Sequence, residues 1–144
     1  MAMATRAEAV TDWLLVRGRG ESPLDAVVRE EDIRGHSSSK RPSVQPGDRG
    51  VLYAAVWQAV FGLVEVTGPP EHDRDRERWA WRFPIRPLAL VEDLHRAPAV
   101  EEIGVFPQSI WRHSHIRLNE EQFEAARAAI GAAAARSPAA RSAR

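Results

Sequence analysis

The chain has 144 residues, 44% of them apolar and 28% charged, which suits one globular domain large enough to bury a core. It has no cysteine, so disulfides, thiol catalysis and cysteine-ligated zinc are excluded. Its 20 basic residues balance 20 acidic ones, which argues against coating nucleic acid by charge alone but leaves room for a local basic patch.

All but one of the basic residues are arginine, whose planar fork suits phosphates and base edges, although high-GC codon usage explains much of that excess. Charges fall too early in the N-terminal segment for a secretory signal, and no apolar run approaches membrane-spanning length. A cytoplasmic location is the expectation.

Residues 1–11 read as a flexible terminus. Trp13–Arg17 (WLLVR) is a short strand stopped by Gly18-Arg19-Gly20. Ser22 can cap a helix, Pro23 suits its first position, and Asp25 sits in the first turn. With Leu24, Val27 and Val28 as an apolar face, a short helix is predicted from Pro23 to about Asp32. Arg34–Val44 has no apolar periodicity and reads as a loop rich in hydroxyls and cations.

Gln45–Val66 is the spine. A Pro46-Gly47-Asp48 turn precedes two apolar runs, Gly50–Val56 and Ala59–Val66, close enough to form an antiparallel hairpin. Thr67–Arg78 alternates acid and base and reads as a solvated loop. Trp79–Arg86 alternates sharply: Trp79, Trp81, Phe83 and Ile85 on one face, Arg82 and Arg86 on the other. Pro84 makes this an edge strand or one with a bulge.

Pro98 to Ile103 reads as a short helix ended by Gly104, Phe106–Trp111 as irregular, and Ser114–Leu118 as the last strand. Asn119 and Gln122 form a capping-box pattern for a helix from about Glu120 to Ala134. Phe123, Ala126, Ile130 and Ala133 occupy one face of it. Arg136–Arg144 reads as a disordered tail.

Local catalytic signatures are missing. There is no G-x-S-x-G elbow and no phosphate-binding or dinucleotide fingerprint. His113-x-His115 would face one side of a strand, and Glu71-His72-Asp73 could be drawn as a cluster, but neither has a second motif to complete a metal site. Five Trp and one Tyr, several near strand ends, fit binding better. Aromatic faces can hold a planar base while polar groups read its edge and arginines hold the flanking phosphates.

Several stretches fall in a familiar order. Asp12-Trp13-Leu14 opens the first strand, and Gly47-Asp48 leads to a strand ending at Tyr53. A strand with Gly62-Leu63-Val64-Glu65-Val66 comes next, then one led by Trp79-Ala80-Trp81-Arg82-Phe83-Pro84-Ile85. Ser114 to Phe123 closes the series with strand, acidic turn and helix. From Trp13 to about Ile130 this order resembles the EVE domain family of the PUA-like superfamily, related to YTH domains. The chain departs from the family at His36–Lys40, where a Trp followed by Val, Arg and Asn is usual. It departs again at Ala54-Ala55, where His-Ser is usual. Both regions line the family's pocket, so either the ligand differs here or Trp57 replaces a missing aromatic.

The resemblance implies an α+β fold, a PUA-like curved mixed β-sheet or small barrel flanked by α-helices, over residues 12–135. It further implies a noncatalytic reader that flips a modified base into an aromatic pocket. Modified DNA, with 5-methylcytosine or a related cytosine, is favoured over RNA. Tyr53, Trp57, Trp81 and Trp111 are the expected stacking residues, and His36, Ser37, Ser38 and Ser114 the edge readers. Lys40, Arg41, Arg82 and Arg117 are the expected phosphate contacts. No cofactor and no metal are implied. The alternatives are a nucleotide- or small-molecule-binding enzyme using His113, His115 and a nearby acid, a methyladenine RNA binder, and a protein-interaction module.

Overall fold

The computed structural model describes residues 10–18 and 24–135. The predicted N-terminal segment up to residue 9, the cap at Ser22 and Pro23, and the tail from 136 lie outside the described residues. At the centre is the expected hairpin, β3 (Arg49–Ala54) and β4 (Ala59–Val66), joined by a four-residue turn that contains Trp57. The turn before β3 needs Gly47 at φ 92°, a conformation that glycine adopts without steric cost.

Around the hairpin, β1 (Asp12–Arg17) runs parallel to β3, and β7 (His115–Leu118) lies antiparallel on the other side of β1. On the opposite flank, β6 (Trp81–Leu90) pairs with β4 through Ile85–Leu90. The N-terminal part of β6 carries β2 (Gly35–Ser38) and the two-residue β5 (Glu71–His72). The path through the mixed sheet is β2-β6-β4-β3-β1-β7, with β5 attached to β6.

Register shifts at Leu52/Tyr53 and Leu63/Val64 bend the central strands, as bulges do. The sheet therefore curls into a half-barrel whose two terminal strands approach each other. Arg17 Nη1 of β1 donates to the Gly35 carbonyl of β2, and His36 Nε2 of β2 bonds the Ser114 carbonyl beside β7. Side chains rather than a backbone ladder close this seam.

Among the described residues two helices accompany the sheet: α1 (Pro107–Ile110), a single turn, and α2 (Glu120–Ala135). The capping box forms as expected, with Gln122 N donating to Asn119 Oδ1 (2.7 Å) and Asn119 N to Gln122 Oε1 (3.0 Å). Phe123, Ala126, Ile130 and Ala133 are the buried face, packed toward β4, β6 and the 3-10 turn Val100–Ile103. That turn ends at Gly104, φ 83°. Arg49 ties helix to sheet: it bonds both Asp12 oxygens (2.8 and 3.1 Å) and lies 4.0 Å from the Phe123 ring centre.

Four expectations are corrected. The described part of the segment predicted as a helix to Asp32 holds only a 3-10 turn, Glu30–Asp32. Its preceding backbone bonds elsewhere, Val28 N to Glu92 O and Leu94 N to Ala26 O, so a tertiary bridge displaces helical bonding. The stretches read as loops at 34–44 and 67–78 each contribute a short strand, β2 and β5, because β6 offers them backbone partners on both sides. Trp79 stands outside β6 at φ 55°, and the strand runs on through Leu88–Leu90. Finally, Phe106–Trp111, read as irregular, contains α1.

β6 is no edge strand, but a bulge is present: the register with β4 shifts before Val64, which stands opposite Pro87. No helix among the described residues is long and apolar enough to cross a membrane.

Candidate functional site

The seam between β2 and β7 concentrates the polar chemistry. His36 is 2% exposed and Ser38 is 1% exposed, both unusual for polar residues on a four-residue strand. Pleating makes them point inward while Ser37, opposite Arg82, stays half-buried on the outer face.

His36 Nε2 lies 3.0 Å from the Ser114 carbonyl, which also accepts from Val16 N at 2.9 Å. A carbonyl can only accept, so Nε2 carries the proton and Nδ1 is a bare lone pair. That Nδ1 is buried without a hydrogen-bond partner. Burial, then the nearby Arg17 guanidinium, push the imidazole pKa down to about 3. The bond to Ser114 opposes them, and His115 adds a further lowering. His36 is therefore neutral at physiological pH.

Beside it runs a chain of hydroxyls. Ser38 Oγ donates to the Lys40 carbonyl (2.7 Å) and lies 3.2 Å from Ser114 Oγ, which is 3.0 Å from His115 Nδ1. One assignment satisfies all three contacts. The His115 Nδ1 proton goes to Ser114, the Ser114 proton to Ser38, and the Ser38 proton to Lys40 O. His115 Nε2 is then an acceptor. The His115 pKa is lowered, first by burial and then by His113, which favours this neutral form.

Trp81 stands opposite Ser38 in the ladder and is half-buried. The Arg41 guanidinium lies 5.5 Å from its ring centre and His72 meets it edge-on at 5.1 Å. Thus His36, Ser38, Ser114, Trp81 and Arg41 come together from β2, the segment just after it, β6 and the segment entering β7. Lys40, exposed, adjoins them through its carbonyl.

Other expected residues stand apart. Tyr53 is buried in the core at 3% exposure. Trp57 donates to the Leu24 carbonyl (3.0 Å) and meets His95 at 4.9 Å. Trp111 is 69% exposed, with Arg112 4.6 Å from its ring centre. Arg117 lies over the outer side of Trp13, 5.4 Å from its ring centre. His113 is exposed and precedes the strand, so it does not share a strand face with His115. Among the described residues, no three His, Asp or Glu side chains converge as a metal site would require.

Two residues outside the expected site support the seam. Asp48 of the Gly-Asp turn is 4% exposed and accepts from Trp13 Nε1 (2.9 Å), Gln45 N (2.9 Å) and Thr11 N (3.1 Å). This fixes Trp13, which in turn meets His115 at 5.3 Å. Arg17 looked like the polar end of a strand; its partner, the Gly35 carbonyl, lies on a segment with no strand signal. On the outer side of β2 and β6, an open groove of about 510 Å³ is lined by Arg34, Gly35, Arg82, Phe83 and Pro84, with Glu71, His72 and Asp73 opposite.

The architecture is that of the PUA-like fold, and solved structures share it. A Rhodopseudomonas palustris protein matches over 85% of this chain and 94% of its own, with TM-score 0.58 and 14% identity. An Agrobacterium tumefaciens protein matches over 83% and 93%, with TM-score 0.52 and 17% identity. Human THYN1, solved in complex with DNA containing 5-methylcytosine, matches over 79% and 94%, with TM-score 0.52 and 13% identity. No protein-family model and no curated protein matches the sequence.

Proposed function

We propose that this chain is a noncatalytic, EVE-type reader of nucleic acid carrying a modified base, with a modified cytosine in DNA as its preferred ligand. The observation that carries the reading is the seam. A neutral imidazole, a relay of two serine hydroxyls and a tryptophan under an arginine sit together where the terminal strands of the half-barrel meet. Hydroxyls and neutral histidines can recognise the edge of a base, and a half-buried indole offers a stacking face worth about 1–3 kcal/mol per base. A buried methyl on that base adds about 0.8 kcal/mol. The fold-level likeness to THYN1, whose structure holds 5-methylcytosine DNA, supports the same ligand class.

In this reading His36, Ser38 and Ser114 read the base, Ser37 backs them from the outer face, and Trp81 stacks. Lys40, Arg41, Arg82 and Arg117 meet the phosphates. Tyr53 lies in the core, and Trp57 and Trp111 lie outside this pocket.

The test is a titration with otherwise identical duplexes carrying cytosine, 5-methylcytosine or 5-hydroxymethylcytosine, and with methyladenine RNA, at two salt concentrations. Tighter binding to a modified cytosine, weakening with salt, is expected. Equal affinity for every probe without salt dependence refutes the reading.

A further inference from the structure

Two arginines converge on Gly35 without an acidic partner. Arg17 reaches across the seam from β1 and donates to the Gly35 carbonyl. Arg82 comes from the outer face of β6, and its Nη2 lies 3.6 Å from the point where a Gly35 Cβ would stand. That is ordinary van der Waals distance, so the second guanidinium lies against the outer face of β2 at Gly35. Neither arginine forms an ion pair among the described residues, whereas Arg49, Arg86 and Arg127 each hold a carboxylate. Burial, then the Arg82 charge, lower the pKa of Arg17. A half-buried guanidinium beside a second one, with no carboxylate in ion-pair contact with either, is costly unless an anion completes the set.

We propose that Arg17 and Arg82 form an oxyanion site at the Gly35 neck, taking a phosphate group between the seam that Arg17 spans and the outer groove that Arg82 lines. The chemistry is that of two planar forks, each able to give parallel N–H bonds to oxyanion oxygens. The site deepens the reader reading and rests on it for the source of the phosphate, the backbone flanking the recognised base. The Arg17 charge also helps to hold His36 neutral, so one cation acts on both the edge reader and the backbone clamp. Glu71 stands opposite Arg82 in the β5–β6 ladder without closing an ion pair, and with Asp73 forms the acidic far wall of the groove.

The experiment compares the full chain with Arg17→Gln, Arg17→Lys and Arg82→Gln, and with Arg127→Gln as a control. Thermal unfolding is measured in inorganic phosphate against chloride at equal ionic strength. Affinity for a short oligonucleotide is measured against salt. Phosphate should raise the unfolding temperature of the parent and the control but not of Arg82→Gln or Arg17→Gln. Arg17→Lys should retain part of the effect, which separates loss of charge from loss of fold. Each glutamine variant should also lower the log–log salt slope by about 0.7–0.9, the loss of one phosphate contact.

No phosphate-specific stabilisation, with unchanged salt slopes, overturns the site. If a preference for modified bases persists alongside those results, the reader reading stands and only the site falls. If the phosphate effect is present and lost in the variants while no oligonucleotide binds, the site stands with a free phosphate or nucleotide as its ligand, and the reader reading falls.

Discussion

Protonation of His36 should unlock the fold from the seam outward. In the unfolded chain its pKa returns to about 6.5, while in the native protein it is held at about 3. Between those values the unfolded state binds the proton and the native state does not, so stability falls as pH drops below about 6.5 and levels off below about 3. The slope in that window is about 1.4 kcal/mol per pH unit. The loss reaches about 2 kcal/mol at pH 5 and about 5 kcal/mol when complete, a large fraction of the 5–15 kcal/mol typical of a domain.

The comparison variant is His36→Gln, which keeps an amide donor for the Ser114 carbonyl but does not titrate. Urea unfolding of both proteins at several pH values removes the contribution of every other titrating group from the difference. The stability gap between them should narrow or reverse by about 1.4 kcal/mol per unit as pH falls from about 6 to about 4. Parallel curves would refute both the burial of a neutral imidazole and its role in the closed seam.

Other outcomes follow from single contacts. Asp48→Ala strips the partner from the buried Trp13 indole and two backbone amides, and should cost about 3 kcal/mol in urea unfolding. Asn119→Ala removes the N-cap of α2 and should cost about 1 kcal/mol, with a matching drop in unfolding temperature. Phe123→Ala should cost about 3–5 kcal/mol, because it empties the contact between α2 and the sheet and leaves Arg49 without the ring beneath it. Trp81→Ala, checked for a native unfolding transition, should weaken binding to every oligonucleotide by about 1–3 kcal/mol, measured by fluorescence titration.

The elements legible in the sequence are those whose periodicity and burial agree. The β3–β4 hairpin and α2 each carry their own apolar pattern, and for α2 the four residues expected to be buried are the buried ones. β2 and β5 carry no such pattern. Gly-His-Ser-Ser and Glu-His become strands because β6 offers unpaired backbone, a condition set far along the chain. The missing helix before Asp32 has the same origin, since Val28 finds its partner at Glu92.

In the candidate site, His36, Ser38, Ser114 and Trp81 were singled out from stretches in three parts of the chain, and the curl brings those stretches together. Trp111 stands out only as an aromatic and Trp57 as one near the altered Ala54-Ala55 pair, and neither property says which surface a side chain joins. Arg17 gave no signal, because its meaning lies in a glycine carbonyl across the seam.

That seam has one more consequence. The bonds fastening the half-barrel involve the same atoms that would greet a visitor: the Ser114 hydroxyl, the Ser38 hydroxyl and the His36 ring. In the proposed reading, entry of a base is an exchange, in which the guest takes over bonds already made and its departure restores them. A doorway of that kind would discriminate by what it must give up, admitting only molecules whose own donors and acceptors replace the latch.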